Sequence, residues 1–235
     1  MFEEILQNGA GEMGISLPAG AIPYLREYHD YLYEKNKVMD LTAVPEGEPA
    51  IRSHFLDSLS LLPYIPEGAS VIDVGSGAGF PGLPLKIART DMKLTLMDAN
   101  GKRTGFLKEL CPRVGAEDVE ILTGRAEELT LEEKYREQYD ICVSRAVASM
   151  SMLCELCLPF VKVGGMMLAM KASGSEEELE TASRAVSILG GKLEKKIKYR
   201  VPGTEAERYI IPIRKISETP KTYPRRFAKI KSKPL

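Results

Sequence analysis

Hydrophobic positions in the first 65 residues recur at the spacing of an α-helix and show none of the alternation typical of a strand. One such pattern includes Ile22, Leu25 and Leu32, and a second runs over four positions further along the chain: Ile51, Phe55, Leu59 and Leu62. Two prolines, Pro63 and Pro66, end the second pattern and mark a junction. The sequence therefore predicts a helical N-terminal extension over residues 1–65.

From Ala69 onward, short runs rich in β-branched residues alternate with helical patterns. The predicted strands are 70–74, 93–97, 119–122, 139–144 and 166–171. The predicted helices between them are 84–89, 100–114, 131–135 and 152–161. Strands that alternate with helical segments are typical of βαβ units, so we predict an α/β fold with a doubly wound, mostly parallel sheet.

The end of the chain departs from this alternation. After a further predicted helix, 176–189, two strand-like stretches, 193–201 and 208–216, are joined by the turn dipeptide Pro202-Gly203, which predicts an antiparallel hairpin. The proline-containing tail that follows is expected to be a loop or an extended arm. The predicted organisation is thus a helical extension (1–65), an α/β domain (66–216) and a C-terminal arm (217–235).

Composition places the chain among ordinary globular proteins, because 44% hydrophobic and 28% charged residues exclude general disorder. No apolar run reaches the roughly 18 to 20 residues that a membrane span needs, and the acidic N-terminus lacks the pattern of a secretory signal. Four cysteines without such a signal indicate reduced thiols. We therefore expect a cytoplasmic protein with no membrane association and no metal.

Charge is distributed unevenly along the chain. The totals, 32 Lys and Arg against 33 Asp and Glu, give a net charge of −1, which taken alone argues against a nucleic-acid partner. However, residues 214–235 contain eight bases and one acid, so the tail carries +7 and the other residues carry −8. This asymmetry favours an anionic partner.

A glycine-rich loop follows the first predicted strand. Residues 77–82 match the dinucleotide fingerprint G-x-G-x-x-G, but the match begins two residues late and contains Pro81, which has no N–H to offer a pyrophosphate. The alternative pattern is an acid followed by three alternating glycines, which Asp73, Gly75, Gly77 and Gly79 fill. That pattern is typical of class I methyltransferases that use S-adenosylmethionine (SAM), whose tail contains an ammonium group and no phosphate. We favour SAM over a dinucleotide.

Two further strand ends carry candidate cofactor ligands. Asp98 ends the second strand, where an acid accepts hydrogen bonds from a ribose, and Asn100 is placed to cap the helix that follows. After the third strand, the Ala126 backbone and Glu127 lie where this fold flanks an adenine. An ordinary acidic helix start explains Glu127 equally well.

The fourth strand ends at Arg145, which we expect to pair with Asp98, with the SAM carboxylate or with a phosphate. This strand end lacks the Asn/Asp-Pro-Pro-aromatic run of exocyclic-amine methyltransferases. It also lacks the cysteine nucleophile of C5-pyrimidine enzymes, since Cys142 lies inside the strand. The pair Cys154 and Cys157 has C-x-x-C spacing within a helical pattern, which favours packing over zinc or redox chemistry.

Six segments in the same order closely resemble the RsmG (GidB) family of bacterial methyltransferases. They are residues 52–59, 73–82, 100–103, 125–127, 144–148 and 223–226. The resemblance implies a SAM-dependent enzyme that methylates guanine N7 in 16S ribosomal RNA, with a helical N-terminal extension on a Rossmann-like, mostly parallel seven-stranded sheet. It also implies SAM contacts at Gly75, Phe80, Ala126, Glu127 and Arg145.

The implied chemistry agrees with the missing motifs. Guanine N7 carries an unprotonated lone pair at neutral pH, so it attacks the sulfonium methyl in line without a general base, and we nominate no catalytic residue. We expect the target base to be unstacked and to rest against an aromatic ring such as Phe80. The expected partner is 16S rRNA, within the small subunit or an assembly intermediate, and the protein is expected to act as a monomer.

Five bases are predicted to reach RNA phosphates, although each also fits an ordinary solvated charge: Lys102, Arg103, Lys171, Arg225 and Arg226. His54 is either structural or part of a substrate pocket, and Asp57 either orients His54 or faces water. Two other functions remain open on the sequence alone. One is a small-molecule methyltransferase, and the other is a non-catalytic RNA-binding protein with a relic pocket.

Overall fold

A mixed β-sheet forms the centre of this computed structural model, which describes residues 1–145, 148–172 and 176–235. Within these ranges the strands are β1 (Ser70–Val74), β2 (Lys93–Asp98), β3 (Glu120–Thr123), β4 (Tyr139–Ser144), β5 (Val161–Lys171), β6 (Gly191–Leu193), β7 (Ile197–Arg200) and β8 (Glu207–Lys215). Their order is β3-β2-β1-β4-β5-β8-β6, and β7 also pairs with β8. Strands β1 to β5 are parallel, whereas β8 is antiparallel to β5, β6 and β7.

Strands β6 and β7 share one edge of β8. Gly191 of β6 pairs with Lys215 of β8, and Ile197 of β7 pairs with Ile210 of β8. The register against β8 therefore changes by one residue between β6 and β7. The sheet consequently has seven strand positions, with the last one interrupted. The predicted fold class, a mostly parallel sheet that ends in an antiparallel hairpin, is confirmed.

Helices cover both faces of the sheet. Those of the N-terminal extension are α1 (Phe2–Glu12), α2 (Ala21–Met39), α3 (Glu48–Ala50), a turn of π-helix (Ile51–Leu56) and α4 (Asp57–Leu59). The others are α5 (Gly82–Ala88), α6 (Gly101–Arg113), α7 (Ala126–Leu129), α8 (Met150–Cys157), α9 (Glu176–Ile188) and α10 (Phe227–Ser232). None of the helices in the described ranges has the length and hydrophobicity to cross a membrane.

Alternate residues of the central strands pack into two separate hydrophobic clusters, one on each face. Val71 and Val143 belong to the cluster that also contains the N-terminal helices, α5 and α6. Ile72 and Cys142 belong to the cluster formed with α8 and α9. Because strand side chains alternate between faces, the buried strands separate these two clusters and the molecule has three layers. The N-terminal extension therefore shares a core with the sheet.

Two predictions about local structure were wrong. The helix expected at 131–135 is absent; the helix in this region is α7, which ends at Leu129, and the chain then turns towards β4. The C-terminal arm was expected to be a loop or extended throughout, but after a loop it forms α10, and it packs on the α/β domain. Arg136 donates hydrogen bonds to the carbonyls of Thr219 (2.7 Å) and Tyr223 (3.1 Å), and Ile230 is fully buried.

Candidate active site

The glycine loop turns over the carboxyl end of β2. The N–H groups of Gly75 and Ser76 both donate to the Met97 carbonyl at 2.9 Å. Gly75, Gly77 and Gly79 have φ values of 78°, 58° and 104°, in the region that favours glycine. A Cβ added at Gly75 or Gly77 would meet no atom within 4 Å, whereas one at Gly79 would lie 2.6 Å from the Tyr28 hydroxyl. The loop is therefore open at its first two glycines and closely packed at the third.

Asp73 lies fully buried beneath this loop. Its Oδ2 accepts a hydrogen bond from the Gly82 N–H at 2.8 Å, but the buried Oδ1 has no hydrogen-bond partner in the described structure. Burial raises the pKa of the Asp73 carboxyl to about 7, although the Gly82 N–H and the positive charge of Arg145 oppose this shift. A buried, unsatisfied carboxylate oxygen is a strong acceptor for a ligand that brings a positive donor.

Asp98 joins the glycine loop to the start of α6. Its Oδ2 accepts from the Gly77 N–H at 2.9 Å, and its Oδ1 accepts from the Asn100 N–H at 2.8 Å. The guanidinium of Arg103 lies 3.6 Å away. The side chain of Asn100 accepts from the Lys102 N–H at 2.9 Å, which confirms its predicted role as the helix cap. The predicted ribose ligand is thus positioned next to Gly77.

Ala126 and Glu127 begin α7, at the strand end next to Asp98. The Gly124 N–H donates to the Asp98 carbonyl at 3.1 Å, which holds the loops after β2 and β3 together. Both Ala126 and Glu127 are buried, and an Arg125 nitrogen lies 3.7 Å from the Glu127 carboxylate. A cleft of about 630 Å³ opens beside them, bounded on its other side by residues 224–228 of the arm.

Arg145 contacts the N-terminal extension and not Asp98, contrary to one of the predicted pairings. Its Nη1 donates to the Ser53 carbonyl (2.8 Å) and to Oδ2 of Asp57 (3.2 Å). Asp57 is 1% exposed, and its Oδ1 accepts from the Tyr199 hydroxyl at 2.7 Å. The expectation that Asp57 faces water is therefore wrong. Asp57 anchors a buried polar network and reaches His54 through Arg145, with no direct hydrogen bond between the two in the described structure.

His54 lies in the same network with both ring nitrogens in contact with partners. Nδ1 is 3.2 Å from an Arg145 guanidinium nitrogen, and Nε2 is 2.8 Å from the Thr42 hydroxyl oxygen. Because a guanidinium only donates, Nδ1 accepts, and we assign the proton to Nε2, which donates to Thr42. Burial and the Arg145 charge lower the pKa of His54 to about 3. The ring is neutral at physiological pH.

Phe80 is enclosed by other aromatic rings and is 4% exposed. Its ring stacks with those of His54 (centroids 4.5 Å apart) and Tyr28 (4.9 Å), and Phe55 packs against it edge-on (5.4 Å). The expectation that the target base rests against the Phe80 ring does not agree with this packing, because the ring has no free face. Phe80 instead links the glycine loop to the extension.

The five predicted RNA-binding bases divide into two groups. Lys171 donates to the Ala148 carbonyl (2.9 Å) and to a Glu178 carboxylate oxygen (2.8 Å), and Arg225 is bonded to the buried Glu155. These two side chains hold the fold together, and we withdraw them as phosphate ligands. The other three remain exposed at least in part: Lys102, Arg103 and Arg226.

Sequence reasoning missed four members of the site: Tyr28, Thr42, Tyr199 and Arg208. Tyr28 donates to the Ala78 carbonyl at 2.5 Å, and Arg208 Nε lies 3.4 Å from Oδ1 of Asp57. No local motif identifies them, since each meets its partner only through the tertiary fold.

The cysteines take no part in this site. All four are free and buried, and burial raises the pKa values of Cys111, Cys142 and Cys154, which keeps these thiols protonated. Across residues 1–145, 148–172 and 176–235, no group of three or more His, Cys, Asp or Glu side chains is arranged to hold a metal ion.

Comparison with known proteins gives a match along the whole chain. The profile of the family described as GidB, rRNA small subunit methyltransferase G, matches residues 21–207. A protein of Alkaliphilus metalliredigens named ribosomal RNA small subunit methyltransferase G is 44% identical over 233 residues, which cover 98% of each chain. Its namesake in Lachnoclostridium phytofermentans is 45% identical and covers 97% of this chain and 95% of its own.

Solved structures with the same fold are much more distant in sequence. An O-methyltransferase of Bacillus cereus in complex with SAH has a TM-score of 0.56 at 13% identity, covering 80% of this chain and 90% of that one. TYW2 of M. jannaschii in complex with AdoMet has a TM-score of 0.54 at 14% identity, covering 68% and 75% of the two chains. These likenesses establish the fold as that of class I SAM-dependent methyltransferases.

Proposed function

The chain belongs to the GidB family, rRNA small subunit methyltransferase G, and on that premise we propose that it transfers a methyl group from SAM to N7 of a guanosine in 16S rRNA. The observation that carries this proposal is the near-complete alignment with relatives of that name. The cytoplasmic location and the monomeric state expected from the sequence remain predictions.

The residues around the glycine loop suit SAM. The open backbone at Gly75 and Gly77 leaves space for the ligand, and the unpartnered Oδ1 of Asp73 is an acceptor for its ammonium. Asp98 would accept from the ribose, while the buried start of α7, Ala126 and Glu127, would flank the adenine. When bound, SAM supplies a methyl group on a sulfonium, which the guanine N7 lone pair attacks.

This chemistry needs placement of the substrate and no proton transfer, because N7 carries no proton. The buried polar network beside Phe80, which includes His54, Asp57 and Arg145, offers no free group among its described residues that could act as a base. Both nitrogens of His54 are engaged, and its low pKa makes it a poor base. The Asp57 carboxylate is bonded to Arg145 and Tyr199. We therefore assign positioning roles to these groups and no general base.

Exposed bases on α6 and on the C-terminal arm are candidates for RNA contacts. Lys102 and Arg103 project from α6, and Arg226 begins α10. The tail adds further exposed lysines: Lys221, Lys229, Lys231 and Lys233. Among the described residues none of these tail lysines has an acid within ion-pair distance. We propose that they bind phosphates, which makes RNA affinity strongly salt-dependent.

Strand scission at N7-methylguanosine tests the proposal directly. 16S rRNA from cells with and without the gene would be cleaved chemically at this modified base, and the missing band would be restored by the wild-type gene but not by a Gly77→Val variant. Identical patterns with and without the gene would overturn the proposal. Purified protein with unmethylated naked rRNA or with small subunits would then show which of them is the substrate.

A further inference from the structure

Two guanidinium groups share one carboxylate near the glycine loop. Arg145 Nη1 lies 3.2 Å from Oδ2 of Asp57, and Arg208 Nε lies 3.4 Å from Oδ1. Within the described parts of the chain, Asp57 is the sole acid within ion-pair distance of either arginine.

The groups bonded to Asp57 or to its two arginines supply no second negative charge. The Asp73 carboxyl feels the charge of Arg145 but forms no ion pair with it in the described structure. His54 is neutral because burial and the Arg145 charge lower its pKa, and burial beside Asp57 raises the pKa of the Tyr199 hydroxyl, which therefore stays protonated. The cluster consequently holds two positive charges and one negative charge. A net positive charge that is largely removed from water is costly unless an anion joins it.

Both arginines remain accessible from the substrate side of the sheet. Their side chains are 20% and 26% exposed, although the Arg208 Nε atom itself is buried and makes no hydrogen bond. Arg145 follows β4, and Arg208 lies one residue before Tyr209, which pairs with the last residue of β5, Lys171. Ligands of open α/β sheets bind outside the carboxyl ends of the parallel strands, where both residues lie.

We propose that Arg208, which shares the Asp57 carboxylate with Arg145, binds a backbone phosphate of the RNA that carries the target guanosine. This inference rests on the proposed function and adds an anion-binding subsite to it. A phosphate accepts paired hydrogen bonds from guanidinium groups, and Asp57 and Tyr199 act as positioning residues that fix where the guanidinium groups lie.

The SAM carboxylate has the same chemistry, but the backbone of Arg208 lies farther from the cofactor loop than that of Arg145. Strands β4 and β5 separate β8 from β1, so the backbone of Arg208 is three strand spacings, roughly 14 Å, from the strand that leads into the loop. Arg145 directly follows β4, the strand that pairs with β1. We therefore assign Arg208 to the RNA.

Arg208→Gln tests this assignment, with Arg200→Gln as the matched control. Arg200 belongs to the same hairpin but is 56% exposed and pairs with Glu207. Binding of unmethylated 16S rRNA would be measured at several salt concentrations, SAM binding by calorimetry and folding by thermal unfolding. We expect about tenfold weaker RNA binding for Arg208→Gln, with a salt slope reduced by about one, and unchanged SAM affinity. Arg200→Gln should stay within about twofold of wild type in both assays.

Each contrary result has a defined meaning. A parallel loss of SAM affinity would assign the subsite to the SAM carboxylate, and unchanged RNA binding in a folded variant would leave Arg208 a structural role; either overturns the proposal. If Arg208→Gln does not fold, Arg208→Lys keeps the charge beside Asp57 but loses the planar fork. That variant should raise the KM for RNA several-fold with kcat unchanged, and an unchanged KM would overturn the subsite.

The outcomes for the proposed function and for this subsite are distinguishable. A wild-type protein that binds 16S rRNA through Arg208 but methylates no guanine N7 would contradict the function and leave the phosphate site standing. If the protein methylates guanine N7 equally well with and without Arg208, the proposed function stands and the phosphate site is contradicted.

Discussion

The guanidinium of Arg225 is bonded to the carboxylate of Glu155 through both oxygens. Nε donates to Oε1 at 2.8 Å and Nη2 donates to Oε2 at 2.6 Å, while the Arg225 backbone N–H also donates to Oε1 at 2.9 Å. Glu155 is fully buried in α8. This pair fixes the C-terminal arm to the α/β domain, so Arg225 is buried in an ion pair whereas its neighbour Arg226 is exposed.

Arg225→Gln should destabilise the protein, because it leaves the buried Glu155 carboxylate without its charged partner. We expect a loss of about 3–5 kcal/mol in the free energy of unfolding, measured by urea denaturation. Arg226→Gln is the control: its side chain is exposed, so stability should change by no more than about 0.5 kcal/mol while RNA binding weakens. Equal stability of the two variants would contradict the structural role of Arg225.

Alanine substitutions at two glycines should separate cofactor binding from folding. At Gly77 a methyl group enters open space above the loop, so Gly77→Ala should cost about 1–2 kcal/mol of stability yet weaken SAM binding at least about tenfold. At Gly79 the new Cβ collides with Tyr28 at an unfavourable φ, and Gly79→Ala should cost about 3 kcal/mol or more. Calorimetry with SAM and urea denaturation measure the two effects. Wild-type SAM affinity in Gly77→Ala would exclude this loop as the cofactor site.

SAM affinity should fall as pH decreases below about 7. The Asp73 carboxyl has its pKa raised to about 7, and the SAM ammonium favours the ionised form, so protonation competes with binding. We expect the Kd at pH 6 to be about tenfold above its high-pH plateau. Asp73→Asn should bind weakly at every pH and abolish this dependence, which calorimetry between pH 5.5 and 8.5 would show.

The same group has the opposite effect on the stability of the free protein. Because its pKa is higher in the folded chain than in the unfolded one, the folded state binds more protons between about pH 4 and 7. The contribution of Asp73 to stability is therefore present below about pH 4 and is lost as pH rises through 7. Asp73→Asn should lack this loss of stability between pH 4 and 7. If the difference in unfolding free energy between wild type and Asp73→Asn is the same at pH 4 and pH 8, the raised pKa is contradicted.

His54 should remain neutral from pH 5 to 8, with its proton on Nε2. Nitrogen-15 NMR of histidine-labelled protein can test this, since the chain has two histidines and a His29→Gln variant assigns the signals. The pKa of His54 is lower in the folded state, about 3, than the ordinary 6.5, so its contribution to stability is present above pH 6.5 and lost as pH falls towards 3. A midpoint near 6.5 in the folded protein would show that the ring is solvated and that the Thr42–His54–Arg145 contacts are not formed.

Sequence patterns predicted those parts of the fold that depend on local periodicity. The strand 70–74 has the bounds that the structure gives to β1, and Asn100 caps α6 as its residue type suggests. The change of register between β6 and β7 has no such local signal, since it depends on pairing with β8. The helix predicted at 131–135 does not form. Its residues lie instead in turns between α7 and β4.

The roles of charged residues were harder to predict from the sequence than the position of the glycine loop. Arg225 and Arg226 are adjacent and chemically identical, and only the position of Glu155, seventy residues earlier, distinguishes a buried pair from an exposed base. In the same way, Asp57 meets Tyr199 across 142 residues of sequence. Such contacts between distant parts of the chain form the polar network of the site. This explains why the position of the glycine loop was predictable from the sequence and the residues around it were not.

The hydrogen bond from Tyr28 to the Ala78 carbonyl connects α2 to the glycine loop, and both elements belong to one hydrophobic cluster. Cooperative melting follows from this shared core: a calorimetric scan should show one transition for the extension and the sheet together. A ligand held by the loop should also slow amide hydrogen exchange in α2, far along the chain from its own contacts. The N-terminal helices would then report on cofactor occupancy without touching the cofactor.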